Sequence, residues 1–157
     1  AAYVVETRLA ISYGAFCQLV SVGEVPAPGT HADKIELMPA VPDIRWPGTS
    51  IPAAPGISFG VRSTSPEGVI FDPVVIELRH PPFGGVGPSR QIYITRLGGD
   101  GASINAYSFD LPEELVTGIW TLRATHDGQL LYEVSFDVVP PARLPQITGG
   151  CDGYLGS

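Results

Sequence analysis

The residue types that could bind a metal ion are few and widely spaced. The chain has three histidines, His31, His80 and His126, and none lies in a His-x-His pair. Protein metal sites usually take ligands from such short spacings. Asp100 follows two glycines as in a calcium loop, but the acids that should alternate with it are absent, so a turn is favoured. The sequence predicts no metal site.

The groups needed for nucleophilic catalysis are also missing as a recognisable set. The Gly-x-Ser-x-Gly pattern occurs once, at residues 56–60, but there the serine lies in an alternating segment that is predicted to be a strand. In the serine hydrolases that this motif marks, the serine lies on a sharp turn between a strand and a helix. An activated nucleophile also needs a base within hydrogen-bond reach. The sequence therefore predicts a protein that is not an enzyme and has no cofactor. An unrecognised hydrolase is the third hypothesis, and it would need a cleft that gathers His80 with a carboxylate such as Asp110.

The two cysteines, Cys17 and Cys151, lie near opposite ends of the chain and form no Cys-x-x-Cys motif. A disulfide between them would close a loop spanning most of the chain and would stabilise the fold by roughly 5 kcal/mol in the chain-entropy model. The alternative is two unrelated buried thiols. Cys151 lies in the Gly-rich tail 142–157, which would bury a thiol poorly by itself. We therefore expect the tail to be tethered by a disulfide, which favours an oxidising compartment.

His80 is the first candidate binding residue. It ends an alternating segment on the apolar parity, directly before Pro81 and Pro82, so its ring is expected to be buried at one end of the fold. One interpretation is a structural histidine whose ring hydrogen-bonds a loop carbonyl. The other is a pocket residue, with Arg79 or Arg90 beside it.

Two aromatic residues complete the set of candidate binding residues. Trp46 lies beside Arg45 within a Pro-rich loop, a pairing that is enriched at binding hot spots. Trp46 could instead cover the open edge of the fold. Tyr93 lies in a predicted strand, and either ring could serve as a stacking platform for a small ligand or glycan.

Composition and charge exclude several partners. The chain has 157 residues and a formal net charge of −7. Without a basic cluster such a chain cannot hold a phosphate backbone and is repelled by anionic headgroups. No apolar stretch reaches the roughly 18 to 20 residues that span a bilayer. We expect neither nucleic acid binding nor membrane insertion, and the oligomeric state stays open.

The residue pattern is typical of an all-β protein. Short alternating segments occur throughout, separated by 19 glycines and 16 prolines. Two stretches, 23–31 and 40–56, lack periodicity, and the second could be functional or could cover a sheet edge. One helical turn is expected, at Leu111–Leu115. The alternating segments are centred on Leu9–Tyr13, Ile35–Leu37, Ile57–Val61, Val74–His80, Ile92–Ile94, Tyr107–Phe109, Ile119–Thr125 and Leu130–Val138.

These segments predict a single domain over residues 1–157, an immunoglobulin-like sandwich of two antiparallel sheets with seven or eight strands. The clearest local feature is a hairpin around Asp127-Gly128. A three-residue loop that includes His126 would pair Leu122 with Tyr132 and Trp120 with Val134, which keeps the apolar faces together. It would also place Gly128 in the left-handed region, within a bulge.

Several motifs in order give the chain a family resemblance. The segments are Tyr13–Phe16, Ile51–Ala53, Phe59–Arg62, Arg79–Pro82, Ala106–Asp110, Glu114–Leu122 and Glu133–Val139. Between about residues 11 and 140 the chain resembles the bacterial family known as domain of unknown function 3859. The resemblance implies an exported or envelope-associated sandwich with no assigned activity. The chain departs from the family at Thr117, where a proline is usual, and in its two cysteines and tail.

The function that fits best is a non-catalytic binding or interaction module in the periplasm or outside the cell. The chain begins Ala1-Ala2-Tyr3 and its one methionine is Met38, as expected after signal-peptide removal or in a trimmed chain. The partner would be another envelope protein, which could add a strand at a sheet edge or contact the loops at one end. The alternative is a receptor for a small ligand or glycan.

Overall fold

The computed structural model describes residues 2–19, 23–26, 34–37, 41–99 and 101–151. Residues 23–26 and 34–37 are described by their backbone alone. The expectations for His31 and Asp100 lie outside the described residues. The strands are β1 Ala2–Val4, β2 Ala10–Cys17, β3 Gly23–Pro26, β4 Lys34–Leu37, β5 Trp46–Pro47, β6 Ser50–Pro52, β7 Ile57–Thr64, β8 Ile70–Arg79, β9 Arg90–Gly98, β10 Ser103–Ser108, β11 Gly118–His126 and β12 Gln129–Val139.

Two sheets of unequal size form the sandwich. The larger sheet has the order β1-β12-β11-β8-β9, and β6 also pairs with β12, in parallel. The smaller sheet has the order β10-β7-β2-β5. The two-sheet antiparallel sandwich expected from the sequence is confirmed. Each predicted alternating segment lies in or directly beside a strand. In the two large sheets, alternation buries one face of a strand against the other sheet.

The core is centred on Trp120, which is fully buried. Its ring centroid lies 5.5 Å from Phe59 and 5.2 Å from Tyr107, and its indole N–H donates to the carbonyl of Val116 at 3.0 Å. Phe136 contacts Phe59 from the next strand. Aromatic pairs in tilted and edge-on arrangements stabilise a core beyond their buried area, and this cluster joins the two sheets.

The hairpin of β11 and β12 is confirmed, but the predicted register is wrong. Leu122 pairs with Val134, and Trp120 pairs with Phe136. The turn has two residues, Asp127 and Gly128, both with positive φ, and a bulge in the ladder lies opposite Ala124 and Thr125. The bulge restores the parity that a two-residue turn alone would break, so the apolar faces still coincide. Gly128 is left-handed as predicted, within the turn and not within the bulge.

Two expectations about irregular regions need correction. Residues 23–26 were expected to be a loop and form β3, which pairs with β4. The helical turn expected near Leu111 is present as a 3₁₀ turn at Pro112–Glu114. It is not the sole helical segment, since α1 Pro145–Thr148 lies between 3₁₀ turns at Pro141–Arg143 and Gly149–Cys151, and a further 3₁₀ turn spans Phe83–Gly85. Segments this short show no periodicity in a sequence.

The second aperiodic stretch covers sheet edges. Within it, β5 pairs with β2 at the edge of the smaller sheet, and β6 pairs with β12 in the larger sheet. Covering an edge strand removes unpaired backbone groups that would otherwise attract another chain. Within the described residues no helix is long and apolar enough to cross a membrane.

Candidate interaction surface

Strand β9 forms one edge of the larger sheet, and among the described residues it pairs with β8 alone. The backbone N–H of His80 donates to the carbonyl of Ser89 at 3.0 Å, which sets the phase of the β8–β9 ladder. In an antiparallel ladder the hydrogen-bonded pairs alternate with non-hydrogen-bonded pairs. The backbone N–H and C=O groups of Arg90, Ile92 and Ile94 therefore point away from β8, toward the open edge.

The side chains of the same residues lie on the outer face of the larger sheet, which is the face turned away from the smaller sheet. Ile94 is 68% exposed, Arg90 and Arg96 are exposed, and Ile92 is half-buried. The open edge therefore carries the outward pattern Arg-x-Ile-x-Ile-x-Arg. We call residues 90, 92, 94 and 96 the β9 edge.

The parity of this strand differs from the expectation. Alternation of Ile92 and Ile94 indicated an apolar face turned to the core, but Gln91 and Leu97 occupy the buried positions. Gln91 tolerates burial because its side-chain amide forms a hydrogen bond with the His80 ring. The two isoleucines are left on the outer face, so sequence analysis assigned the exposed residues of this strand to the wrong side.

A carboxylate between two arginines adjoins the β9 edge. Glu77 Oε1 accepts from Arg79 Nε at 2.9 Å, and Glu77 Oε2 accepts from Arg90 Nε at 2.5 Å. The hydrogen bond from Arg79, and with it that from Arg90, holds the pKa of the Glu77 carboxyl below its ordinary value, although partial burial opposes them. One carboxylate faces two guanidinium groups, so this part of the surface keeps a positive excess.

The positive excess extends along β9. Arg96 has no ion pair with any described residue, and β9 itself contains no acidic residue. The charge at the β9 edge is thus opposite to the net charge of −7 carried by the chain. Local charge of this kind steers and orients oppositely charged partners.

The remainder of the outer face combines ion pairs with exposed apolar side chains. Arg123 donates to Glu133 at 3.2 Å across the β11–β12 ladder. Ile119 is 59% exposed and Tyr3 is 61% exposed on the same face. Large apolar side chains grouped on one face among charged residues are typical of surfaces that bind other proteins.

His80 has the surroundings expected of a structural histidine. It is buried, and its Nδ1 lies 2.9 Å from the carbonyl oxygen of Pro81. Its Nε2 lies 3.1 Å from Gln91 Nε2, and its ring stacks on Phe83 with centroids 4.1 Å apart. Arg79 does not join His80 in a pocket, because Arg79 turns to Glu77 on the outer face. A ligand-binding role for His80 stays a prediction.

Tyr93 packs against the core, and its hydroxyl donates to Asn105 Oδ1 at 2.8 Å. Burial raises the pKa of the Tyr93 phenol above its ordinary value, and the neighbouring Tyr132 adds to this. Burial also raises the pKa of Tyr132, while Asn105 opposes that shift. The Tyr93 ring is therefore part of an internal contact between the sheets, and this position does not support a stacking platform.

Trp46 pairs with Ala15 at the edge of the smaller sheet. The guanidinium of Arg45 lies 4.4 Å from the Trp46 ring centroid. A side chain at Gly150 would come within 2.5 Å of the Trp46 ring, so the ring also covers the C-terminal turn. This is the arrangement expected of an edge cover, and binding by Trp46 stays a prediction.

The predicted disulfide between Cys17 and Cys151 is present. Both cysteines are buried, and Arg45 Nη1 donates to the carbonyl of Gly150 at 3.0 Å. Ile147 is buried in the same segment. The C-terminal turns are therefore joined to the end of β2 by the disulfide and to the residue before β5 by a hydrogen bond.

Among the described residues, no group of three or more His, Cys, Asp or Glu side chains is arranged to hold a metal ion. The Asp110 carboxylate accepts from Gln18 at 2.7 Å, whereas the His80 ring contacts Pro81 and Gln91.

Comparison with known proteins agrees with this architecture. A family model described as "Domain of unknown function (DUF3859)" matches residues 5–138. An immunoglobulin-like protein from Pseudomonas aeruginosa, solved by crystallography, superposes with a TM-score of 0.57 at 23% sequence identity, covering 86% of this chain and 99% of that one. None of the curated proteins matches significantly. The structural likeness shows the immunoglobulin-like fold.

Proposed function

The chain belongs to the DUF3859 family, and from its structure we propose that it is a non-catalytic interaction module that binds a protein partner. The outer face of the larger sheet is the binding surface. The observation that carries this proposal is the exposure of Ile94 and Ile119 on that face, beside arginines whose charge is opposite to that of the chain.

The proposed place of action is the periplasm or the outside of the cell. The buried disulfide between Cys17 and Cys151 supports it, because disulfides persist in oxidising compartments and are rare in the bacterial cytosol. The partner would then be another protein of the cell envelope. A receptor for a small ligand or glycan has less support, since Tyr93 and Trp46 both make internal contacts.

Quantitative co-purification from the native cell envelope tests the proposal. The wild-type domain is compared with the double variant Ile94→Ser/Ile119→Ser, which removes apolar area from the outer face without adding charge. Val86→Ser is the matched control, because Val86 is 95% exposed but lies in the loop between β8 and β9. Circular dichroism establishes that each variant is folded.

We expect a protein that co-purifies with the wild type and with Val86→Ser, and that is lost with the double variant. Loss of the partner with Val86→Ser alone would move the binding site to the loops at the end of the sandwich. Equal recovery with all three proteins would contradict binding through the outer face.

A further inference from the structure

We propose that the β9 edge accepts an extended segment of the partner as an added strand, and that this segment carries two apolar residues flanked by acidic ones. The inference rests on the proposed function and assigns to it a surface and a partner chemistry. The partner pattern is acidic-x-apolar-x-apolar-x-acidic, the complement of the outward residues 90, 92, 94 and 96.

The first support is the unused hydrogen-bonding capacity of the edge. The backbone groups of Arg90, Ile92 and Ile94 point away from β8, and from Arg90 to Thr95 the two strands pair without a register shift. An unpaired, regular edge of this length can add a strand through main-chain hydrogen bonds. β9 contains no proline, which is one of the devices that proteins use to protect an edge.

The second support is that some sheet edges are covered by short strands and others are not. In the smaller sheet β5 covers part of β2, and in the larger sheet β1 and β6 both cover β12. Among the described residues β9 and β10 have no such cover, and β9 is the longer of these two edge strands, with nine residues against six. Arginines at both ends of the pattern discourage indiscriminate pairing, and the same charges would favour a strand with acidic residues opposite them.

The charge pattern also argues against a second copy of this chain as the occupant. An antiparallel pair of β9 strands that places Ile92 opposite Ile94 would place Arg90 opposite Arg96 at both ends. Like charges directly opposite each other destabilise a sheet. The pattern is symmetrical, so an acidic segment would satisfy it in either strand direction.

Binding of synthetic peptides to the intact, oxidised domain tests this inference. The probe is a labelled peptide with glutamate, valine, isoleucine and glutamate at alternate positions and threonine between them. The first comparison peptide has lysine in place of glutamate. The second comparison peptide keeps the glutamates and is N-methylated at every other backbone amide. It is made in two versions that differ in which set of amides is methylated, so that one version blocks the amides that face β9. Fluorescence anisotropy at low and moderate salt gives each Kd.

We expect the acidic peptide to bind at least about tenfold more tightly than the lysine peptide. One N-methylated version should lose binding. Amide hydrogen exchange at residues 90, 92 and 94 should slow when the acidic peptide is bound, since their N–H groups become hydrogen-bonded.

Two variants and one control locate the site. Arg96→Glu should weaken the acidic peptide at least about tenfold, and Arg143→Glu, at an exposed arginine of the C-terminal turns, should leave its Kd unchanged. Ile94→Pro should abolish strand addition while keeping the β8–β9 ladder, because the Ile94 N–H points outward. If the Ile94→Pro variant proves unstable, Arg96→Glu still tests whether the acidic peptide binds at the β9 edge.

Equal binding of the acidic and lysine peptides, or equal effects of Arg96→Glu and Arg143→Glu, would overturn the inference. So would binding that survives both N-methylated versions. The proposed function is tested separately, since the co-purified partner can depend on Ile94 and Ile119 even if no added strand forms at the β9 edge.

Discussion

Two hydrogen bonds orient the ring of His80. The carbonyl of Pro81 can only accept, so His80 Nδ1 carries the proton and donates to it. Nε2 lies 3.1 Å from Nε2 of Gln91. The ring is thereby held between Phe83 and Trp120, which is the role of a residue that organises the end of the core.

His80→Ala should therefore destabilise the domain. The substitution removes a buried, stacked ring and leaves the amide of Gln91 without that partner, so the free energy of unfolding should fall by about 2–4 kcal/mol. Urea denaturation at pH 7 measures the change. Arg79→Ala is the control, and because Arg79 is exposed its effect should stay within about 1 kcal/mol. Similar effects of the two substitutions would refute the structural role of His80.

The Glu77 carboxyl makes stability depend on pH. Its pKa is lowered in the folded state from an ordinary value of 4.5, so the unfolded state binds the proton more readily. The contribution of Glu77 is fully present above about pH 5 and is lost as the pH falls toward its folded pKa.

Glu77→Gln should lower the free energy of unfolding by about 1 kcal/mol at pH 7 and by much less near pH 3. Urea denaturation at both values gives the difference. Glu67→Gln, at an exposed residue, is the comparison variant. A penalty for Glu77→Gln that is the same at both pH values would show that its ionisation in the folded state does not matter.

At the level of the strands, the β11–β12 hairpin depends both on the backbone conformation of its turn and on the packing of its apolar faces. Asp127 and Gly128 have φ values of 50° and 77°, as a type I′ turn requires. An added Cβ at Gly128 would meet nothing within 4 Å, so a substitution there tests backbone conformation alone.

Gly128→Ala should cost about 1 kcal/mol, because a residue with a Cβ disfavours the left-handed region. Asp127→Asn should be nearly neutral, since asparagine tolerates that region well. Thermal unfolding followed by circular dichroism compares the two variants. If Gly128→Ala is as stable as the wild type, the positive φ at this turn is not an energetic requirement.

The same strands mark where sequence reasoning succeeds and where it stops. Alternation identified β11 and β12 and most of their buried faces, because the core covers both strands. The exception is at the start of β12, where Leu131 is buried in place of Leu130. Alternation did not give the register, since a bulge at Leu131 changes the pairing without changing which residues are apolar. It misassigned β9, where Ile94 is exposed and Gln91 is buried through a long-range contact with His80 that no local pattern encodes.

The features of the candidate site were also only partly predictable from the sequence. The disulfide between Cys17 and Cys151 could be anticipated from two cysteines at opposite ends of a glycine-rich chain. Arg79 was singled out as a neighbour of His80 in a pocket, whereas its guanidinium donates to Glu77 on the outer face. The β9 edge could not be found from the sequence, because strand order in a sheet decides which strand is left unpaired.

For the domain as a unit, the disulfide is the main covalent constraint. It joins residues 134 positions apart, and a crosslink that closes so long a loop stabilises by about 5 kcal/mol in the chain-entropy model. Cys17→Ser/Cys151→Ser should therefore lower the free energy of unfolding by about 3–5 kcal/mol. Guanidinium denaturation of the oxidised wild type, the reduced wild type and the double variant separates loss of the crosslink from the effect of the substitutions.

The same bond tests the proposed compartment. Intact mass after alkylation without reduction, on protein taken directly from its native cells, should show no alkylated thiol. Two alkylated thiols would mean that the domain resides in a reducing compartment, and the envelope partner would have to be abandoned.

The measurement that tests binding through the larger sheet most directly is a photo-crosslinking scan in intact cells. A photoreactive amino acid replaces each residue from 90 to 97 in turn, and Thr64, exposed on the smaller sheet, serves as the reference position. We predict strong crosslinks to one partner protein at 90, 92, 94 and 96, with little signal at the alternate positions or at residue 64. Uniform crosslinking along the strand, or crosslinking as strong at residue 64, would contradict the assignment of this surface.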